Sequence, residues 1–418
     1  MKRIGNLWPT LTSFENLLQA YRKARLGKRD RLTVQRFEFR RENELAQLRD
    51  ELMESRYAPG PFRTFILHDT KPRLISASPF RDRVVHHAFC NVVEPIFERC
   101  FIHDSYASRV GKGTHSAIRR YQQFAREYPY VLKCDIRLFF PSIDHQILLE
   151  QLERKIKDHD VLALARVIIG HSNRQVAVPG LFPGDDLFTA QDRRRGLPIG
   201  NQTSQFFGNV YLNALDHFIK EQLGRKAYLR YVDDFVILGS SPQELAEVRD
   251  AIEEFLRSLR LWLHPRKRVI SRVEDGIRLL GFRVWPQRIE LTPESVVKFR
   301  RRMRRYQDCF EDGQLSMSGL TQRVRAWIGH AQFADGEEYL RRLLCDIVFR
   351  RRTVESSCLA RGLVEQQRHE HPLRQPEQEH ARQPEQQHRV PCIEHSASCP
   401  VVTPGANDPN VAVYGLLR

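Results

Sequence analysis

The chain has 418 residues, 41% of them hydrophobic, with 67 Lys and Arg against 51 Asp and Glu and a net charge of +16. That length holds two or three domains with sizeable cores, and the charge excess favours a polyanionic partner. Scattered cysteines with no Cys-x-x-Cys pair, no apolar leader at the N-terminus and no apolar run of membrane-span length argue against a disulfide scaffold or a membrane protein. They point to a reducing cytoplasm.

Residues 12–55 predict helices, because Leu17, Leu18 and Tyr21, then Leu45, Leu48, Leu52 and Met53, recur at helical spacing among charges. Pro59-Gly60-Pro61 ends that run, and Phe62 to Leu67 and Leu74 to Ala77 read as strands around a basic turn, Lys71-Pro72-Arg73. A helical run follows from about Arg81 to Phe97, then a strand from Tyr130 to Asp135 that ends on a carboxylate. Residues 171–196, with Pro179-Gly180 and Pro183-Gly184, read as a loop insertion, and Asn201 to Leu223 as a helix.

Residues 228–238 read Tyr-Leu-Arg-Tyr-Val-Asp-Asp-Phe-Val-Ile-Leu. Aromatic and β-branched residues on both sides predict a hairpin, yet Asp233 and Asp234 lie at its middle. Turn chemistry alone accommodates an Asp pair; burying two adjacent anions is costly unless a cation is present. Near residue 292 the character changes. Thr292 is a candidate N-cap with Pro293 at the first helical position. Phe299, Met303, Tyr306 and Phe310 mark one apolar face, and Arg300, Arg301, Arg302, Arg304 and Arg305 cover the rest. Such a helix is either a solvated basic face or a surface laid along phosphates.

A second carboxylate comes from Leu132-Lys133-Cys134-Asp135-Ile136-Arg137-Leu138-Phe139-Phe140, where an aromatic follows Asp135 by five positions. Together with the 231–234 turn, this segment resembles the palm of a reverse transcriptase, and the motif order matches over residues 56–350. The resemblance implies an α+β, right-hand polymerase fold. Residues 1–55 would form an N-terminal helical extension and 56–286 fingers and palm, with an antiparallel sheet plus helices. Residues 287–350 would be a helical thumb and 351–418 a low-complexity tail.

It also implies roles. Asp135 and Asp233 resemble the pair that holds two Mg²⁺ ions (Mn²⁺ is an alternative), Asp234 the adjacent carboxylate, and the Ile136 carbonyl a further ligand. Hard oxygen donors suit Mg²⁺ bound chiefly through substrate phosphates, with one ion activating the primer hydroxyl and the other clamping pyrophosphate. Phe140 matches the aromatic gate against a 2′-hydroxyl, implying deoxynucleoside triphosphates; a core aromatic is the plainer reading. Lys71 and Arg73 match basic fingers residues that grip the triphosphate, or form a solvated turn. Lys267, in Leu261-Trp262-Leu263-His264-Pro265-Arg266-Lys267, matches the general acid toward pyrophosphate. Leu279-Leu280-Gly281-Phe282 resembles the primer-gripping hairpin.

Bacterial intron-type enzymes usually carry Gln-Gly, three residues, then Ser-Pro in the fourth motif. This chain has Ile199-Gly200, then Ser204-Gln205, the pattern of reverse transcriptases from diversity-generating retroelements. Those copy a template RNA with errors at adenines, aided by a small basic accessory protein. Ile199, Gly200 and Gln205 would line the nucleotide site, and loss of the Gln amide at 199 removes a hydrogen-bonding check on the nascent pair. Alternatives are the reverse transcriptase of a group II intron, retron or phage-defence system, or an inactive RNA-binding scaffold.

After Arg352 the apolar periodicity stops, and 361–391 is dominated by Gln, Glu, His, Arg and Pro, a disordered composition. Read one nucleotide later, 360–392 can be translated into an Asn-rich string resembling the end of the lectin-like domains that such retroelements diversify. The tail is therefore expected to be an out-of-frame read of the element's own template repeat.

Overall fold

A computed structural model describes residues 3–68, 72–172, 181–186, 188–335, 342–344, 347–350 and 410–412. The chain divides into two units, Met1–Leu280 with Val284–Gln287, and Gly281–Arg283 with Arg288–Arg418. It is a mixed helix-and-sheet protein with antiparallel strand pairs. No described helix is long and apolar enough to cross a membrane.

The first unit opens with helices α1 (Trp8–Leu11), α2 (Phe14–Ala24), α3 (Leu32–Phe39) and α4 (Arg41–Met53). Ser13 caps α2 by accepting the Asn16 N–H, and Leu17, Ala20, Tyr21 and Ala24 are buried at helical spacing. The Pro-Gly-Pro break then leads to a hairpin, β1 (Arg63–His68) and β2 (Pro72–Ala77). Its entry is fixed by the buried Asp82, which accepts from the Tyr57 hydroxyl at 3.0 Å and the Gly60 N–H at 2.9 Å. β2 starts at Pro72, so Arg73 lies on a strand and not in the expected turn. Antiparallel pairing with Leu67 and His68 extends the ladder that far. Lys71 lies outside the described residues.

Helix α5 (Phe80–Glu98) runs through the core with Val84, Val85, Ala88, Phe89 and Val93 buried, and α6 (Thr114–Ala125) follows. A four-stranded sheet then assembles from β3 (Tyr130–Asp135), β4 (Tyr228–Tyr231), β5 (Asp234–Gly239) and β6 (Val269–Arg272), in the order β4-β5-β3-β6. Between β3 and β4 the chain forms α7 (Phe139–Ser142), α8 (His145–Glu153), α9 (His159–Gly170), α10 (Thr189–Asp192) and α11 (Gln202–His217). Asp144 and Asp158 cap α8 and α9. Helix α12 (Pro242–Ser258) packs Leu245, Val248, Ile252 and Leu256 into the same core as Leu132, Phe235 and Ile237. Strand β7 (Ile277–Leu279) comes last.

Although β4 ends the sheet, its outer edge is covered. The Arg230 N–H donates to the Asp104 carbonyl and the Tyr106 N–H to the Arg230 carbonyl, both at 2.9 Å. Asp104 is itself buried and held by Lys220 at 2.8 Å and Arg120 at 2.9 Å.

The second unit contains β8 (Phe282–Val284) as far as Arg283, β9 (Ile289–Leu291), α13 (Pro293–Glu311), α14 (Met317–Ala331), and the pair β10 (Val348–Arg350) and β11 (Asn410–Ala412). Thr292 caps α13 by accepting the Ser295 N–H. Val296, Phe299, Met303 and Phe310 are buried, while the five arginines 300–302, 304 and 305 are exposed. Phe299 stacks on Trp327 of α14 with ring centroids 3.4 Å apart. Of the residues after 350, only the three of β11 are described, so the Gln- and His-rich segment lies outside the described residues.

Candidate active site

Strand pairing brings the three carboxylates together. β3 runs antiparallel to β5 with Asp135 opposite Asp234, and the Ile136 N–H donates to the Asp233 carbonyl at 3.3 Å. β4 and β5 are joined by Val232 and Asp233 alone, since Tyr231 already pairs with Asp234. In such two-residue loops a positive φ normally selects glycine. Here Val232 has φ 58°, a conformation in which a β-branched residue costs roughly 1–3 kcal/mol and persists only where its surroundings hold it.

Asp135 is buried, and Asp233 and Asp234 are half-buried. Burial, then the neighbouring Asp135 and Asp234 charges, push the Asp233 carboxyl up to about 6. Asp234 is also raised, chiefly by burial, against the lowering pull of Lys133. The cluster thus carries more negative charge than its surroundings stabilise, a need that a divalent cation meets. Among the described residues no three or more His, Cys, Asp or Glu side chains form a ready-made metal cage. The donors fit instead a hard cation held by one or two carboxylates and completed by substrate oxygens, the mode of Mg²⁺.

Lys267 reaches this cluster from the far side of the sequence. The His264 N–H donates to the Asp135 carbonyl at 2.8 Å, the Arg137 N–H to the Trp262 carbonyl at 2.8 Å, and the Lys267 N–H to the His264 carbonyl at 3.1 Å. This turn delivers the Lys267 ammonium to the Asp135 carboxylate as an ion pair. Burial alone would lower the lysine, but Asp135 and then the other two aspartates outweigh it and hold the group protonated.

A second group of residues surrounds Ile199. The Ser76 N–H of β2 donates to the Ile199 carbonyl at 3.0 Å. Buried Asn201 accepts from the Ser78 N–H at 3.2 Å and hydroxyl at 2.9 Å, and donates to the Ser76 carbonyl at 3.2 Å. Gly200 has φ 115°, and a side chain there would lie 3.0 Å from the Ile75 methyl, so only glycine fits. Ile199 is half-buried and Gly200 exposed; Gln205, on the first turn of α11, accepts the Ser108 hydroxyl at 2.6 Å. Arg73 stands exposed on the same strand as Ser76.

Phe140 links the two groups. It follows Asp135 on α7, and its carbonyl accepts the Leu197 N–H at 2.9 Å, two residues before Ile199. Phe139 is the core aromatic of the pair, buried against Gly208, while Phe140 is half-buried.

Behind the turn lies a wholly buried polar network. Arg230 and Asp216 are both 0% exposed. The Arg230 guanidinium donates to both Asp216 carboxylate oxygens at 2.8 and 2.6 Å, to Asn209 Oδ1 at 3.1 Å and to the Val232 carbonyl at 2.9 Å. The Tyr228 hydroxyl also donates to Asp216, at 2.6 Å, and the Asn209 amide donates to the Ala107 carbonyl at 2.9 Å. Neither this network nor Asn201 is picked out by motif reading. The available signal for Arg230 is a lone charge within the apolar run Tyr228-Leu229-Arg230-Tyr231.

The family model for reverse transcriptase (RNA-dependent DNA polymerase) matches residues 67–284, a span that contains the three aspartates and Lys267. The chain belongs to the reverse transcriptase family. Among curated relatives of this reverse transcriptase-family chain, Protein YkfC of Escherichia coli is 28% identical over 281 residues, covering 58% of this chain and 71% of YkfC. Nuclear intron maturase 1 of Arabidopsis thaliana is 30% identical over 97 residues, 23% of this chain and 14% of the maturase. The group II intron-encoded protein LtrA of Lactococcus lactis is 23% identical over 181 residues, 43% of this chain and 28% of LtrA. A solved apo telomerase from Candida tropicalis aligns with a TM-score of 0.40 at 12% identity, over 58% of this chain and 59% of that one.

Proposed function

We propose that the protein is an RNA-directed DNA polymerase of the diversity-generating retroelement type. The observation that carries the polymerase reading is the register placing Asp135 opposite Asp234, with Ile136 bonded to Asp233. Asp135 and Asp233, with Asp234 and the Ile136 carbonyl beside them, would hold two Mg²⁺ ions. When bound, these supply activation of a primer 3′-hydroxyl and charge stabilisation on the departing pyrophosphate. Lys267, kept protonated beside the cluster, has a proton to give to that leaving group. Phe140 would exclude a 2′-hydroxyl and Arg73 would meet the triphosphate; Lys71 is assigned the same task on sequence alone.

The retroelement subtype is supported by Ile199-Gly200 followed by Ser204-Gln205. Tied to β2 through Ser76 and Asn201, this segment offers an apolar side chain with no amide at the position assigned to the nascent base pair. Template RNA, the growing cDNA and a small basic accessory protein are the partners this reading implies. An intron-associated role is the second reading, favoured by relatives named as intron proteins.

The test is primer extension on an RNA template with Mg²⁺ and deoxynucleotides. The wild type extends the primer, and Asp135→Asn lowers the rate by about 10³-fold while RNA binding persists. A wild type that binds RNA but incorporates nothing would be a scaffold, refuting the polymerase reading. Sequencing the products of Ile199→Gln addresses the subtype: errors opposite adenine fall, and an unchanged error spectrum rejects it.

A further inference from the structure

We propose that Arg230 is a positioning residue for Asp233, holding the strained Val232–Asp233 turn in the conformation that faces Asp135. The inference rests on the polymerase reading and extends it to a buried side chain that touches no substrate. An ion pair as deeply buried as Arg230–Asp216 is a weak source of stability, since a well-packed apolar pair of equal volume often does as well. What an apolar pair lacks is a donor for the Val232 carbonyl.

That carbonyl belongs to the peptide entering Asp233, and Arg230 binds it at 2.9 Å. The peptide leaving Asp233 is bound through its carbonyl by the Ile136 N–H at 3.3 Å. The carboxylate is therefore fixed through both flanking peptides, one by Arg230 and one by the strand that carries Asp135. Val232 supplies the reason a clamp is needed, because φ 58° is a conformation that a β-branched residue leaves when released.

The same guanidinium binds Asn209 on α11, the helix that follows Ile199, Gly200 and Asn201 and carries Gln205. Arg230 therefore ties the carboxylate turn to the helix assigned to the nucleotide. Only a planar fork serves Asp216, Asn209 and Val232 at once. A lysine ammonium keeps the charge for Asp216 without that geometry.

The experiment compares wild type, Arg230→Lys and Arg230→Lys with Val232→Gly, each checked for folding by circular dichroism and thermal melting. Primer extension on RNA gives kcat and the KM for deoxynucleotide. Arg230→Lys is expected to lose about 30- to 100-fold in kcat with KM moving less than about threefold. Glycine at 232 takes a positive φ without strain, so the double variant should regain at least about fivefold over Arg230→Lys. A folded Arg230→Lys within about threefold of wild-type kcat, or a double variant with no recovery, overturns the proposal. Should Arg230→Lys not fold, Asn209→Ala keeps the ion pair and loosens the fork: a lower kcat at constant KM supports positioning, and an unchanged kcat overturns it. A wild type that never extends the primer defeats the polymerase reading instead, so the two failures are distinct.

Discussion

Replacing Asp233 by Asn should stabilise the metal-free protein while removing its activity. The Asp233 carboxyl is lifted from 3.8 to about 6 by burial and by Asp135 and Asp234. A carboxyl whose pKa is higher in the folded state binds its proton more tightly there than in the unfolded chain. Its penalty is therefore absent below pH 3.8, grows as pH rises and is complete above about 6. Roughly two units at about 1.4 kcal/mol each give about 3 kcal/mol. Solvent screening at a half-buried position reduces this to about 1–2 kcal/mol. Urea unfolding in the presence of a chelator measures it. Asp233→Asn should exceed wild type by that margin at pH 8, and the gap should close toward pH 4. Added Mg²⁺ should then raise the wild-type midpoint more than that of the variant. A gap independent of pH, or a variant less stable than wild type at pH 8, would refute charge crowding in the cluster.

Asn201→Ala removes one acceptor and one donor shared with Ser76 and Ser78 and takes away three buried hydrogen bonds at the end of β2. A loss of about 2–4 kcal/mol in chemical unfolding is expected, and less than 1 kcal/mol would show the clip to be dispensable. Phe140→Val should raise ribonucleotide incorporation by about tenfold or more relative to deoxynucleotide, read by competing the two in primer extension. Phe299→Ala breaks the stack on Trp327 and should cost the second unit about 3–5 kcal/mol in unfolding free energy. Removing Arg301 and Arg305 together should make RNA binding less sensitive to salt, the logarithmic slope falling by about one for each phosphate no longer neutralised.

What can be read from the sequence follows from how local each signal is. The strand 130–135 and the α13 cap are written in consecutive residues, a short apolar run ending on a carboxylate in one and Thr292-Pro293 in the other, and the structure has both at those positions. The insertion at 171–196 reads as loop yet contains the short helix α10, too brief to show periodicity. Helices α6, α8, α9 and α12 carry none of the carboxylate motifs and escape a motif-led reading, although Asp144, Asp158 and Ser241 are ordinary N-cap signals. The approach of Lys267 to Asp135 depends on backbone hydrogen bonds between residues more than a hundred positions apart, which no local pattern encodes. Asn201 is hidden for the same reason. Its partners, Ser76 and Ser78, belong to a segment with no motif of its own.

The covered edge of β4 bears on how this protein meets copies of itself. A strand beside a carboxylate-bearing turn with unpaired backbone groups would invite another chain to add on, the usual start of fibrous aggregation. Asp104 to Tyr106 occupy that position on β4, locked by Lys220 and Arg120. At the opposite end, β6 is only four residues long and finishes on an exposed arginine, Arg272, a poor template for growth. Misassembly through this sheet would first have to strip a buried carboxylate from two cations. An enzyme with this plan can keep a strained, charge-crowded centre without offering it as a seed for polymerisation of the protein itself.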